Sequence, residues 1–219
     1  VAFSADNRAL FVITAKDANA ARLVRYDLET GSATVVADDP LYDVEDIYLD
    51  RATHAVVAAA VSRERTEWKV IDPAFATDFT VLRDLHPGDF KIQNASSDGN
   101  TLVVGYTSDT EPPTYYVYDR RTQRASFLFR ARPALLEYTL APTLPIRFAA
   151  RDGLEIHGYL TLPAGVEPLN LPTVLLVHGG PWWRDRWAYD PSVQWLANRG
   201  YAVLQVNFRG STGYGKEFL

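Results

Sequence analysis

Short apolar runs separated by turn-forming polar residues characterise the first two thirds of the chain. Leu10–Ile13, Ala55–Val61 and Leu102–Val104 are such runs, and Asp, Asn or Gly residues lie between them. Short apolar and β-branched runs between turn residues are typical of β-strands. We therefore predict an all-β region in which short strands are connected by turns.

The strand pattern of this region repeats within the chain. One offset of 92 residues, without a gap, relates Asp6 to Asp98, Leu10 to Leu102, Tyr26-Asp27 to Tyr118-Asp119 and Thr30 to Thr122. A less regular copy lies between these two units. In that copy Asp50 comes first, Ala55–Val61 is the buried strand, and Ile71-Asp72 stands where the other copies have Tyr-Asp.

The length of the repeat predicts a β-propeller. Asp27, Asp72 and Asp119 are 45 and 47 residues apart, and a repeat of this length with about four strands is typical of a propeller blade. Each Asp is expected to shape a hairpin turn and not to bind a ligand. Three blades cannot close a ring, so we expect further blades upstream of Val1. An ordinary β-sandwich is the alternative architecture for this region.

The pattern changes after about residue 135. Prolines interrupt the stretch that follows, which has no clear repeat and is interpreted as a linker; they are Pro133, Pro142 and Pro145. Beyond it, Arg151-Asp152-Gly153 separates two alternating segments. Asp-Gly in this position predicts a β-hairpin.

Downstream of the hairpin, strand and helix patterns alternate. Thr173–Val177 is a continuous apolar run, as in a parallel sheet that is covered on both faces. Asp190 and Pro191 suit the N-cap and first position of a helix, and Tyr201–Phe208 is the next apolar strand. Strand, helix and strand with a short return form a right-handed βαβ unit with parallel strands. Ligands bind at the carboxyl ends of such strands.

Each of these two strands is followed by a glycine-rich segment. Residues 178–181 read HGGP, and residues 209–215 read RGSTGYG. Because both follow the carboxyl ends of parallel strands, we expect the two segments to be neighbours in space. A Gly-Gly turn at such a strand end can present backbone N–H groups to an oxyanion, as acyl transfer requires.

Three strings carry a resemblance to a known family: HGGP at 178–181, QWLANRGY at 194–201 and NFRGSTGYG at 207–215. With the propeller pattern before them, they resemble the prolyl oligopeptidase family of serine peptidases, closest to its acylaminoacyl-peptidase and dipeptidyl-peptidase-like bacterial branch. The resemblance covers residues 146–219 by motif and the propeller by architecture. It implies that residues 1–135 are about three C-terminal blades of a β-propeller. Residues 136–219 would be the N-terminal part of an α/β-hydrolase catalytic domain, with a parallel sheet and crossover helices.

The resemblance also implies a Ser-Asp-His triad whose serine lies in a G-x-S-x-G elbow. The sequence contains no such string, and Ser211 has different glycine spacing, so Ser211 is not expected to be the nucleophile. We interpret the chain as a piece of a hydrolase that lacks the triad and is inactive alone. Within it, the resemblance makes the backbone N–H of Gly180 an oxyanion donor in the turn that Gly179 helps to form.

Four further residues near the turn are candidates. His178 is expected to orient the Gly-Gly turn by hydrogen bonding, because the family pattern places the catalytic base elsewhere. Arg209 is expected to clamp the active-site loops, with substrate contact as the alternative. Trp182 and Trp183 are candidates to line an apolar substrate pocket, or else to pack the propeller against the hydrolase domain.

Composition narrows the possible ligands and partners. The net charge of −5 argues against nucleic-acid binding, and the longest apolar run is too short to span a membrane. The chain has no cysteine, which excludes disulfides and cysteine-ligated zinc within it. The spacing of the other histidines suggests no metal site, so we expect neither metal nor cofactor; they are His54, His86 and His157. The compartment, cytoplasmic or periplasmic, stays open.

Together these inferences predict that the parent protein is a serine peptidase. It would hydrolyse short peptides through an acyl-enzyme intermediate, and the propeller would restrict access to the site. An esterase of the same fold and a non-catalytic, propeller-based peptide-binding protein are the alternatives. The expected partners are a peptide substrate, a second chain carrying the rest of the hydrolase domain, or another copy of the protein. Glu64 and Glu67 are candidates to hold the amino terminus of a substrate.

Overall fold

The computed structural model describes residues 2–180 and 182–219. Val1 and Pro181, the last residue of the HGGP string, lie outside the described residues. Antiparallel sheets form residues 2–130, and a mixed sheet with a crossover helix forms most of residues 143–207.

The first sheet is antiparallel, with its strands in chain order. Its strands are β1 (Ala2–Phe3), β2 (Ala9–Thr14), β3 (Arg22–Asp27) and β4 (Ala33–Ala37). The Asp27 carboxylate accepts hydrogen bonds from the backbone N–H groups of Glu29 and Thr30, at 3.1 and 2.8 Å, in the turn between β3 and β4. The predicted turn-forming role of Asp27 is confirmed.

The second sheet has three strands and continues into a helix. Its strands are β5 (Val44–Leu49), β6 (Val56–Ser62) and β7 (Thr66–Val70), followed by a 3₁₀ turn (Pro73–Phe75) and helix α1 (Ala76–Leu85). Every residue of β6 is buried. Asp72 caps the 3₁₀ turn by accepting from the backbone N–H of Ala74, so the prediction of a hairpin turn at Asp72 is wrong. Pro73 explains the difference, because its fixed φ suits the first helical position and it has no N–H for a strand ladder.

The third sheet has the same four-stranded antiparallel arrangement as the first. Its strands are β8 (Asp89–Ala95), β9 (Thr101–Thr107), β10 (Thr114–Asp119) and β11 (Arg124–Arg130). Asp119 accepts from the backbone N–H groups of Arg121 and Thr122 between β10 and β11. The predicted turn at Asp119, like that at Asp27, is therefore confirmed.

The fourth sheet contains the predicted βαβ unit. After a 3₁₀ segment (Pro133–Glu137), its elements are β12 (Thr143–Ala149), β13 (Glu155–Thr161), β14 (Thr173–Leu176), helix α2 (Pro191–Ala197) and β15 (Ala202–Asn207). The strand order is β12-β13-β15-β14, and β14 and β15 are parallel. Asp190 caps α2 by accepting from Ser192 and Val193, and Pro191 occupies the first turn. The hairpin, the helix start and the parallel strand pair are as predicted.

One face of this sheet is uncovered. Leu144, Leu160, Leu204 and Leu175 are cross-strand neighbours and form a row across all four strands. Leu144 and Leu175 are 50% and 57% exposed, and Val177 just beyond β14 is 58% exposed. The prediction that the Thr173–Val177 strand is covered on both faces is therefore wrong for this chain. The crossover helix α2 buries Val193 and Ala197, and a single helix can cover only one face of a sheet.

Contacts divide the chain into two compact units. One contains the residues up to Gly105, Tyr115–Leu128 and Gly213–Leu219, and the other contains Tyr106–Thr114 and Phe129–Thr212. Within the first unit, Asn19 accepts from the backbone N–H groups of Lys216 and Glu217. The predicted domain boundary between residues 135 and 136 stays a prediction. No helix in residues 2–180 and 182–219 is long and apolar enough to cross a membrane.

Candidate active site

The Gly-Gly turn follows the carboxyl end of β14. Gly180 has a φ of +148°, and a Cβ atom there would lie 2.8 Å from the backbone nitrogen of Trp182. No heavy atom lies within 4 Å of the Cβ position at Gly179. The turn therefore requires glycine at position 180, whereas position 179 has room for a side chain.

The backbone N–H groups of this turn are available to a ligand. Within the described ranges, the N–H groups of Gly179 and Gly180 donate to no protein acceptor, and both residues are exposed. Exposed N–H groups at a strand's carboxyl end can donate to the oxyanion of a tetrahedral intermediate. The geometry thus suits the donor role predicted for Gly180.

His178 bonds both to the turn and to the second glycine-rich segment. Its Nδ1 lies 2.9 Å from the Gly179 carbonyl oxygen, and its Nε2 lies 2.8 Å from the Ser211 hydroxyl oxygen. A carbonyl oxygen only accepts, so Nδ1 carries a proton and donates to Gly179, while Nε2 and the Ser211 hydroxyl share a second hydrogen bond. The ring stacks on Phe208 with centroids 4.3 Å apart. The predicted hydrogen bond between His178 and the turn is present, its role in orienting the turn stays a prediction, and the two glycine-rich segments are neighbours as expected.

Ser211 and His178 have the spacing of a nucleophile and its base, but their surroundings differ from those of a catalytic pair. Ser211 is fully buried, so its hydroxyl cannot meet a substrate in this conformation. His178 directs Nδ1 to a carbonyl oxygen, whereas the histidine of a triad directs it to a carboxylate. Ser211 is a structural residue of the site.

Sequence reasoning missed a buried polar cluster behind the turn. The Asn207 amide accepts from the backbone N–H of Asp185 at 2.7 Å and donates to the Asp185 carbonyl oxygen at 3.1 Å. Gln205 donates to the Asp185 carboxylate at 3.1 Å. The signal was present in the sequence, because Gln205 and Asn207 are polar residues two apart in an apolar strand. That spacing places both side chains on one face.

Burial raises the pKa of the Asp185 carboxyl, although the positive field of His178 and the Gln205 hydrogen bond oppose the rise. One carboxylate oxygen, Oδ2, is buried and accepts no hydrogen bond from the residues described. The protonated form is therefore favoured more in the folded protein than in the unfolded chain.

The pH dependence of stability should report this burial. A carboxyl with a raised folded-state pKa makes the fold more stable as pH falls through that pKa, and the gain is complete below the ordinary value of 3.8. Relative to an Asp185→Asn variant, which does not titrate there, the wild type should gain free energy of unfolding between neutral pH and about pH 4. Urea unfolding of both proteins across that range measures the difference. A wild type that loses stability relative to the variant on acidification would contradict the burial.

Arg209 holds the loop after β15 to the β12–β13 hairpin. One guanidinium nitrogen donates to both carboxylate oxygens of Asp152. The backbone N–H of Leu154 and the Arg209 guanidinium lower the pKa of Asp152. The clamp interpretation of Arg209 agrees with this contact, and substrate contact stays a prediction. Because both side chains are more than half exposed, we expect the pair to contribute little to the stability of the fold.

The tryptophans after the turn are mostly exposed. Trp182 and Trp183 are 73% and 63% exposed, and their predicted packing between the propeller and the hydrolase domain stays a prediction. The backbone of Trp183 is nevertheless held, because its carbonyl oxygen accepts from the Thr212 N–H at 3.0 Å. Their predicted role in lining a substrate pocket stays a prediction.

Metal ligands are not clustered in the part of the chain that the structure describes. No group of three or more His, Asp or Glu residues there could hold a metal ion. The described residues of the candidate site are the exposed backbone N–H groups of the turn, His178 and the buried Asn207 amide.

Known proteins with similar sequences are peptidases. The sequence model of the prolyl oligopeptidase family matches residues 187–219. The chain is 43% identical over 97% of its length to dipeptidyl aminopeptidase BIII of Pseudoxanthomonas mexicana, and covers 32% of that protein. It is 34% identical over 79% of its length to dipeptidyl peptidase family member 6 of Caenorhabditis elegans, and covers 26% of it. The chain thus spans about a third or less of these relatives.

Solved structures show the same fold. The structure of Porphyromonas gingivalis dipeptidyl peptidase 4 matches 99% of this chain with a TM-score of 0.73 at 21% identity, and the match covers 31% of that protein. At this identity the likeness concerns the fold alone. The family match, the relatives along nearly the whole chain and this shared fold agree with the three motif strings. By these similarities the chain resembles the prolyl oligopeptidase family of serine peptidases.

Proposed function

We propose that this chain supplies the oxyanion turn of a serine peptidase that hydrolyses short peptides through an acyl-enzyme intermediate. The observation that carries the proposal is the Gly179-Gly180 turn, whose exposed N–H groups have no protein acceptor among the described residues. Residues 1–219 contain no G-x-S-x-G string. The proposal therefore places the nucleophile, the base and its orienting acid in another part of the full-length protein.

In the proposed reaction, the serine attacks the scissile carbonyl carbon while a histidine takes its proton. The carbonyl oxygen becomes an oxyanion, which accepts a hydrogen bond from the Gly180 N–H and another from the residue after the serine. Collapse of the intermediate releases the amine, and water then hydrolyses the acyl-enzyme by the same steps. The chain's part is to hold one donor where charge develops.

The architecture proposed for the full-length protein is a β-propeller joined to an α/β-hydrolase domain. Three observations support blades: the 92-residue offset, the matching four-stranded sheets of residues 2–37 and 89–130, and the Asp turns within them. The propeller would exclude folded proteins and admit short peptides. The exposed row of leucines on the fourth sheet would be covered by the rest of the hydrolase domain, whether in the same chain or in a second one.

The names of the relatives favour release of dipeptides from a free amino terminus. Dipeptidyl peptidases are similar to this chain along most of its length, and an acidic side chain would hold the amino group of such a substrate. Glu67 is a weak candidate for holding the amino group of the substrate, because its carboxylate already pairs with the Arg63 guanidinium at 3.4 Å.

A pair of reporter substrates tests the proposal. The full-length protein should hydrolyse a dipeptidyl 4-nitroanilide with a free amino group, and much more slowly its N-acetylated counterpart. Faster release from the acetylated substrate would assign acylaminoacyl-peptidase specificity instead. Tight binding of peptides without hydrolysis of either substrate would favour the non-catalytic alternative, and hydrolysis of simple esters alone would favour an esterase.

A further inference from the structure

We propose that Asn207 positions the oxyanion turn by holding the backbone of Asp185, an inference that rests on the proposed function. Asn207 is the last residue of β15 and is fully buried. It is not a donor to the oxyanion. Its role is to fix the backbone at Asp185, five residues after Gly180.

The contact geometry explains why an amide is needed at position 207. The side-chain oxygen accepts from the Asp185 N–H, and the side-chain nitrogen donates to the Asp185 carbonyl oxygen. Asn can do both at once, as the backbone of a neighbouring strand does. A carboxylate in the same place could only accept, and would face the Asp185 carbonyl oxygen at close range.

A second anchor makes the segment a short bridge held near both ends. The Thr212 N–H donates to the Trp183 carbonyl oxygen at 3.0 Å, two residues before Asp185. The second glycine-rich segment and the end of β15 thus both hold the backbone of this segment, at Trp183 and at Asp185.

The backbone of residues 182 and 183 packs closely against Gly180 in the turn. The Cβ position at Gly180 is only 2.8 Å from the Trp182 nitrogen and 3.2 Å from the Trp183 nitrogen. A shift of residues 182–185 must therefore move Gly180 or its N–H direction. Misplacement of a catalytic group by about 1 Å can cost about 10²-fold in rate.

The test is an Asn207→Asp variant of the full-length protein, assayed with the dipeptidyl reporter. We expect kcat to fall by about 10²-fold with little change in KM, because the oxyanion forms only in the transition state. The inhibition constant of a peptide aldehyde, which forms a tetrahedral adduct, should rise by a similar factor. The inhibition constant of the product dipeptide should stay unchanged.

Gln194→Glu is the matched control. Gln194 lies on α2, is also buried, and makes the same kind of two-point contact: it accepts from the Ala141 N–H at 2.9 Å and donates to the Ala141 carbonyl oxygen at 2.8 Å. A carboxylate there loses the donated hydrogen bond, as Asn207→Asp does. We expect this variant to lower the melting temperature, while kcat and the inhibition constant of the aldehyde stay within about twofold of the wild type.

The outcomes separate the positioning role from a structural one. An Asn207→Asp protein with wild-type kcat would overturn the inference, as would an equal loss of kcat in Gln194→Glu. If Asn207→Asp does not fold, Asn207→Ser removes the same two-point contact without adding charge, and the same results are expected of it. A wild-type protein that hydrolyses neither reporter would refute the proposed function, whereas an active wild type with an unaffected Asn207 variant would refute this inference alone.

Discussion

Replacing Gly180 with alanine is expected to lower kcat of the full-length protein by about 10²- to 10³-fold, the usual cost of losing one oxyanion donor. The added methyl group would lie 2.8 Å from the Trp182 nitrogen, a contact that backbone atoms cannot relieve without moving the turn. The φ of +148° is a second obstacle, because residues with a Cβ rarely adopt it. KM for a short peptide should change little.

Gly179→Ala provides the matched control for this prediction. Position 179 is adjacent in the chain, equally exposed, and has no heavy atom within 4 Å of its Cβ position. We expect kcat of Gly179→Ala to remain within about threefold of the wild type, since the turn need not move. Similar losses in both variants would show that the turn is sensitive to any side chain, and that the Gly180 N–H has no special role.

The second large effect concerns stability. Replacing Asp78 with alanine is expected to lower the free energy of unfolding by about 3–5 kcal/mol, as breaking a buried ion pair generally does. Asp78 lies on α1 and is buried. Its carboxylate accepts from the Tyr118 hydroxyl and from Arg120 Nε, each at 2.8 Å. The Arg120 guanidinium also lies 3.6 Å over the Phe75 ring, so the substitution would leave a buried cation without its counter-ion.

Asp84→Ala is the control on the same helix. Asp84 pairs with Arg83, but both side chains are more than 60% exposed, so Asp84→Ala should destabilise the fold far less than Asp78→Ala. Urea unfolding measured by circular dichroism compares the two variants. Equal destabilisation by both would contradict the account of the buried pair.

The sequence predicts the regular parts of this fold because they follow local rules. Asp27 and Asp119 form the expected turns, and the strand-helix-strand unit with Asp190 as its cap is as predicted. Asp72 differs because the next residue is proline, which starts a helix where the other copies continue a sheet. The open face at Leu175 could not be foreseen, since an apolar strand has the same sequence whether or not its second face is covered.

In the candidate site, too, the features set by local sequence rules were predicted, and those set by long-range contacts were not. The Gly-Gly turn and its proximity to the second glycine-rich segment follow from strand order, and were predicted. The pairing of Asn207 with Asp185 depends on a loop path between residues 22 apart, which no periodicity encodes. Likewise, two glycines that look equivalent in the sequence differ in the structure, because only Gly180 packs against the backbone that follows it.

Identification of the serine labelled by a fluorophosphonate tests the central claim most directly. The full-length protein should form one covalent adduct, and peptide mapping should place it on a G-x-S-x-G serine outside residues 1–219. Labelling should be much slower in Gly180→Ala than in Gly179→Ala. An adduct on Ser211, or no adduct on an otherwise folded protein, would contradict the account that this chain supplies the oxyanion turn of a serine peptidase.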